Sequence, residues 1–149
     1  MKNTLITCLR WALTLTLVLM PSLAWSQGRD YIRQQIKFNG ARNVAITKTN
    51  GDLMLYGRNG TASSGIPNDL SQALHELNEN GEYIDDVQLT EQGRWLILFG
   101  NNGFRWNDIP YPLEQKLRKY NNNNEVVTSV TFNDAGDWII ISTDHYSAS

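Results

Sequence analysis

Chemistry in this chain would have to centre on very few residues. There are two histidines in 149 residues. His145 follows Asp144 and precedes Tyr146, and an Asp-His pair can serve acid–base chemistry or a metal when further groups converge on it. A small hydrolase using Asp144 and His145 is therefore one alternative to a binding role, and a structural subunit that docks through an exposed sheet face is another. His75 lies between Leu74 and Glu76 and completes no His-Glu-x-x-His motif, which places it on a helix surface. Asp85 and Asp86 are adjacent on an expected strand, so their side chains should point to opposite faces. A glycosidase pair needs both carboxylates on one bond. No Gly-x-Ser-x-Gly, phosphate-cradling loop or calcium loop is present. The sequence thus suggests no catalytic residue, metal or cofactor, and favours a non-catalytic role.

A polar-aromatic cluster offers more. The stretch Phe99-Gly-Asn-Asn-Gly-Phe-Arg-Trp-Asn-Asp108 is followed by Tyr111, and Tyr56-Gly-Arg-Asn-Gly60 and Asp144-His-Tyr146 occupy related places. Rings beside Asn, Asp and Arg can stack on sugars or anchor a protein partner. The candidate binding residues are therefore Tyr56, Arg58, Asn59, Asn101, Asn102, Phe104, Arg105, Trp106, Asp108, Tyr111, Asp144, His145 and Tyr146. The competing reading makes Phe104 and Trp106 packing residues of a short strand.

These clusters are positioned by an internal repeat. Ile66-Pro67 recurs as Ile109-Pro110, 43 residues on, and Leu70, Leu74 and Leu77 recur as Leu113, Leu117 and Tyr120. Val87 and Leu89 become Val130 and Phe132, and Gly93-x-Trp95 becomes Gly136-x-Trp138. Fainter matches extend backwards: Val44-x-Ile46-Thr47 to Val87-x-Leu89-Thr90, and Tyr56-Gly57 to Phe99-Gly100. There Gly51 is one place out of step and Leu53 stands for the tryptophan. Three units follow, about 30–65, 65–108 and 109–149, each read as a helix, a strand, a turn, a strand, a turn and a short strand.

The helical stripe of unit two is Leu70, Leu74 and Leu77, with Asn68 or Asp69 as N-cap and Asn80-Gly81 as the stop. In the following strand Val87 and Leu89 should face inward, and Asp86, Gln88 and Thr90 outward. Tight hairpin turns are expected at Asn50-Gly51, Gln92-Gly93 and Ala135-Gly136. The next strands, Trp95–Phe99 and Trp138–Ile141, are apolar throughout, which predicts cover on both faces.

Two architectures meet that demand. Hairpins can stand as blades, each covered by its neighbours, or join one antiparallel sheet with helices on one face. In the second, the other face would meet a partner or a second copy of the chain. The pattern Val-x-Phe-x-x-x-Gly-x-Trp with a following Gly-aromatic resembles the blade strands of WD-repeat and related bacterial propellers over about 20 residues per unit. That resemblance implies a propeller-like array, although each unit carries a helix where a blade has its fourth strand. Three units are also fewer than the four blades of the smallest propellers. Either way the expected fold class is α+β, with tandem helix–hairpin repeats and antiparallel sheet.

The N-terminus carries Lys2 and Arg10, the apolar run Trp11–Met20, Pro21 and Ala24-Trp25-Ser26, the parts of a signal peptide cut before Gln27. The apolar run is about half the length of a membrane span. Residues 27–149 are then one domain, periplasmic or secreted, with no span left after cleavage. Cys8 is the chain's single cysteine, so that domain would hold neither disulfide nor thiol nucleophile. Thirteen Lys and Arg less Lys2 and Arg10 leave eleven, against fifteen Asp and Glu, for a net charge of −4. With no basic run, nucleic acid is excluded as the expected partner. A protein or carbohydrate ligand of the cell envelope fits better.

Overall fold

The computed structural model describes residues 40–49 and 51–149. The expected signal peptide, and the helix expected ahead of the first strand, lie outside the described residues. Within them the fold is mixed α+β: two helices and three separate three-stranded antiparallel sheets. Sheet one is β1 (Ala41–Ile46), β2 (Asp52–Tyr56) and β3 (Gly60–Ser64). Helix α1 (Asn68–Glu79) leads into sheet two, β4 (Ile84–Leu89), β5 (Trp95–Phe99) and β6 (Gly103–Asn107). Helix α2 (Tyr111–Asn122) leads into sheet three, β7 (Val127–Phe132), β8 (Trp138–Ser142) and β9 (Tyr146–Ala148). The alternative of one continuous sheet with helices on a single face is overturned. The sheets stay separate because each helix is inserted between two of them.

The stripe on α1 explains the layering. Leu70, Leu74 and Leu77 share one apolar cluster with Leu53 and Leu55 of sheet one and with Ile84, Val87, Trp95 and Ile97 of sheet two. The stripe on α2 does the same between sheets two and three: Leu113, Leu117 and Tyr120 pack with Leu96 and Leu98 on one side, and Val130, Trp138 and Ile140 on the other. The order is sheet, helix, sheet, helix, sheet. The first strands lie side by side, β1 against β4 and β4 against β7.

The sheets repeat in register. Ile46 pairs with Asp52, Leu89 with Trp95 and Phe132 with Trp138, and each first strand has an irregularity at the same place, Ala41/Asn43, Ile84/Asp86 and Val127/Ser129. The tryptophan position in sheet one is therefore held by Asp52, not by Leu53, although Leu53 is fully buried. The one-residue slip sits in the turn glycine instead. All three first turns have the same length, closed by Thr47 N–H to Gly51 O, Thr90 N–H to Arg94 O and Asn133 N–H to Asp137 O. These are three-residue loops rather than two-residue ones. Gly93 (φ 81°) and Gly136 (φ 96°) supply the left-handed residue that follows the turn.

Other local expectations change for identifiable reasons. Pro67 and Pro110, not Asn68 or Asp69, precede the helices, and neither N-cap makes a side-chain hydrogen bond. Asp69 turns to the sheet instead, accepting from Trp95 Nε1 at 3.0 Å and Asn107 Nδ2 at 2.6 Å. Asp86 and Thr90 are buried, not outward. The neighbouring β1 covers Asp86, whose carboxylate accepts from Asn43 Nδ2. Most consequential is β8. In β5 both faces are buried, whereas in β8 Trp138 and Ile140 are buried while Ile139 and Ile141 are 47% and 46% exposed. Among the described residues no third helix covers that outer face.

Candidate functional site

The polar-aromatic tips are the loops joining second and third strands, and consecutive sheets bring them together. Asn59 Nδ2 of the first tip donates to the Glu82 carbonyl at 2.9 Å, and the adjacent Tyr83 carbonyl accepts the Gly100 N–H of the second tip at 2.7 Å. Asn121 Nδ2 then donates to the Asn102 carbonyl at 2.6 Å, and the Val126 carbonyl accepts the Thr143 N–H of the third tip at 3.0 Å. The tips thus follow one another along one edge of the layered array. Exposed at its outermost points are Arg58, Asn101 and Asp144.

The first two tips share a design that the third abandons. Tyr56 pairs with Gly60 and Phe99 with Gly103 across three-residue loops. The ring of Phe99 lies where a Cβ on Gly103 would stand, so any other residue there would have to displace that ring. Sheet three has Ser142 in place of the ring, and its loop is one residue shorter, closed by Ser142 N–H to His145 O at 2.8 Å. Asp144 and Tyr146 therefore match Asn101 and Gly103 in sequence offset but not in loop geometry. Tyr146 is 81% exposed.

Several of the candidate residues are engaged in structure. Phe104 and Trp106 stack at 5.1 Å with a 26° interplanar angle, half-buried against the α2 cluster. The Arg118 guanidinium lies 5.1 Å from the Trp106 ring centroid. Arg105 points to the opposite side of β6, where its Nη1 donates to Glu76 Oε2 at 2.8 Å and holds that carboxyl below its ordinary pKa. Asp108 adopts φ 54° and pairs with Arg94 Nε at 3.1 Å. Tyr111, at the start of α2, is 70% exposed and away from the tips' loops. The cleft beside the second tip, between Asn102 and Leu117, measures about 10 Å³. That is room for roughly one water.

The surroundings of His145 differ from the sequence expectation. Its partner is Glu125, with His145 Nδ1 2.8 Å from Glu125 Oε1, while Asp144 contacts Thr143. The same carboxylate oxygen takes the Ser142 hydroxyl, and that hydroxyl accepts the His145 amide N–H at 3.0 Å. The Ser142 hydroxyl is the main reason the Glu125 carboxyl stays below its ordinary range. The His145 ring and Lys116 add to this, against partial desolvation. A serine activated as a nucleophile would bond to the imidazole, whereas this one bonds to the carboxylate. Sequence reasoning missed Glu125 and Ser142. The repeat could have signalled them, since Ser142 replaces Phe99 one unit on, opening a polar gap beside residue 125. Among the described residues no group of three or more His, Cys, Asp or Glu side chains is placed to hold a metal. His75 pairs with Glu79 on the surface of α1.

No family model, curated protein or solved structure matches this chain.

Proposed function

We propose that this chain is an exported, non-catalytic interaction module of three tandem helix–sheet units of about 43 residues. In this reading it holds a protein or carbohydrate ligand of the cell envelope along its row of tips. One observation carries it: the loops joining second and third strands of the three sheets, chained by hydrogen bonds to backbone carbonyls along one edge, present Arg58, Asn101 and Asp144 in sequence. A cationic, a neutral and an anionic group at the same sequence offset in successive tips suit recognition better than turn formation, which needs no such variety. The threefold unit draws support from Met54. It is fully buried, beside Ala62 and Tyr56, at the position where Ile97 and Ile140 lie under α1 and α2. Phe104 and Trp106 belong to the support of the surface rather than to its contact points.

A small hydrolase is the second reading, and the Glu125–His145 pair is what favours it. The bonding of Ser142 to the carboxylate leaves that pair without an activated nucleophile. The test uses the triple variant Arg58→Ala, Asn101→Ala, Asp144→Ala, immobilised beside the wild type and exposed to envelope extract and a glycan panel. All three positions are exposed, so the fold should survive, as circular dichroism would register. Loss of the ligands retained by the wild type supports the tips. Equal retention by the folded variant removes the reading.

A further inference from the structure

We infer that the outer face of sheet three is a docking site for an amphipathic helix presented by another polypeptide, carrying the stripe Ile-Pro-x2-Leu-x3-Leu-x2-Leu or Tyr. The inference is independent of the tips, since it concerns a sheet face and not the loop edge.

The molecule contains the same interface twice. Leu53 and Leu55 of β2 are fully buried under α1, whose flanking Ile66 packs on the same cluster. Leu96 and Leu98 of β5 are 1% and 4% exposed under α2 and Ile109. Ile139 and Ile141 hold these positions in β8, two residues apart on one face in the same register against β7. Tyr146 pairs with Ile141 and Ala148 with Ile139, as Phe104 pairs with Leu98 and Trp106 with Leu96. The outer face therefore keeps the apolar residues of the buried interface and, among the described residues, lacks its helix.

The shape agrees with the chemistry. A groove of about 380 Å³ opens beside Trp138, Ile139 and Ala148, bounded by Thr131 and Asp137. Such a volume accepts a branched aliphatic side chain and the turn behind it. In the covered interfaces the corresponding end of the sheet meets Ile66 or Ile109, just ahead of the helix. A second copy is a poorer occupant. Both α1 and α2 bury their stripes between sheets of their own chain, so among the described residues a second copy has no free helix of this kind to offer.

The probe is a peptide of residues 109–122, IPYPLEQKLRKYNN, labelled with fluorescein and stapled between positions 115 and 119 to hold it helical. Anisotropy titration with the full protein should show saturable binding, absent for a stapled peptide with Leu113 and Leu117 replaced by Asp. Ile139→Asp and Ile141→Asp in the protein should each weaken binding more than tenfold. Both side chains are half-exposed, so the variants should keep the wild-type thermal midpoint; if Asp disturbs folding, Ile139→Ser provides the same comparison. Absence of saturable binding, or binding unchanged in folded variants, overturns the inference. Sedimentation velocity provides the other overturning result: self-association lost in Ile139→Asp, without peptide binding, gives the face to a second copy.

Discussion

Sheets two and three are built from the same pattern, yet their second strands live in different surroundings. In β5, Trp95 and Ile97 face α1 while Leu96 and Leu98 face α2. In β8, Trp138 and Ile140 face α2 while Ile139 and Ile141 face outward. Equivalent residues thus contribute to stability in one sheet and present a surface in the other. Burial, not residue type, decides which, because the free energy of an apolar side chain depends on the area it loses to water. An apolar residue that keeps its type while losing its cover is a candidate contact residue.

The sharpest way to break this comparison is at the tryptophans, which share the covered side. Trp95→Ala and Trp138→Ala should each cost roughly 3–5 kcal/mol in urea unfolding, the usual loss for a large buried ring. Trp95 carries in addition the hydrogen bond to Asp69. An unchanged midpoint for Trp138→Ala would mean that the sheets are not equivalent. On the opposite side the pair should diverge. Leu96→Ala is expected to cost about 2–5 kcal/mol, and Ile139→Ala about 0.5 kcal/mol or less, as at other surface positions. Equal costs would show that the outer face is covered.

The turns give a smaller contrast. A Cβ on Gly51 would overlap the Ser64 carbonyl oxygen and the Gly65 carbonyl group, at φ 80°. Gly57 has φ 55° with open space around it. Gly57→Ala should cost about 1 kcal/mol, from the left-handed backbone alone. Gly51→Ala should cost visibly more, and equality would place the two loops in similar surroundings.

The smallest effect is electrostatic and belongs to sheet three alone. The folded Glu125 carboxyl has a lowered pKa, so the stability it adds is present above the ordinary glutamate range. It is lost as pH falls through the folded value. The thermal midpoint of Glu125→Gln should lie below wild type at neutral pH, and the gap should close in acid. A gap that widens in acid would reverse the assigned sign.

The sequence made some of these features legible and hid others. The 43-residue offset located α1, α2 and the first two strands of sheets two and three, because stripe, turn and apolar run repeat there without a gap. The stop of the helices was legible too, since Asn124 at φ 54° takes the left-handed place of Gly81. The layering was not. An apolar run such as Trp138–Ile141 states that a strand suits burial on both faces, but cover is supplied by the next element along. The burial of Asp86 was hidden for a related reason: its partner Asn43 lies one full unit away. Among the candidate site residues, Arg58, Asn101 and Asp144 emerged at the tips. Phe104 and Trp106 were drawn into packing because α2 needs an apolar floor. The shortened third tip was invisible, since the 43-residue offset sets Tyr146 against Gly103, whereas the register makes it the counterpart of Phe104.

The central comparison can be measured directly because Cys8 is the chain's single cysteine. In protein with Cys8 replaced by serine, Leu96→Cys and Ile139→Cys place a thiol at the same position of the two sheets. Their reaction rates with Ellman's reagent under native conditions report cover at each. The thiol at 139 should react within about tenfold of the unfolded chain, and the thiol at 96 more slowly by several orders of magnitude, through opening of the core alone. Equal protection at both positions would contradict the uncovered face, and equal reactivity would contradict the helix lying between sheets two and three.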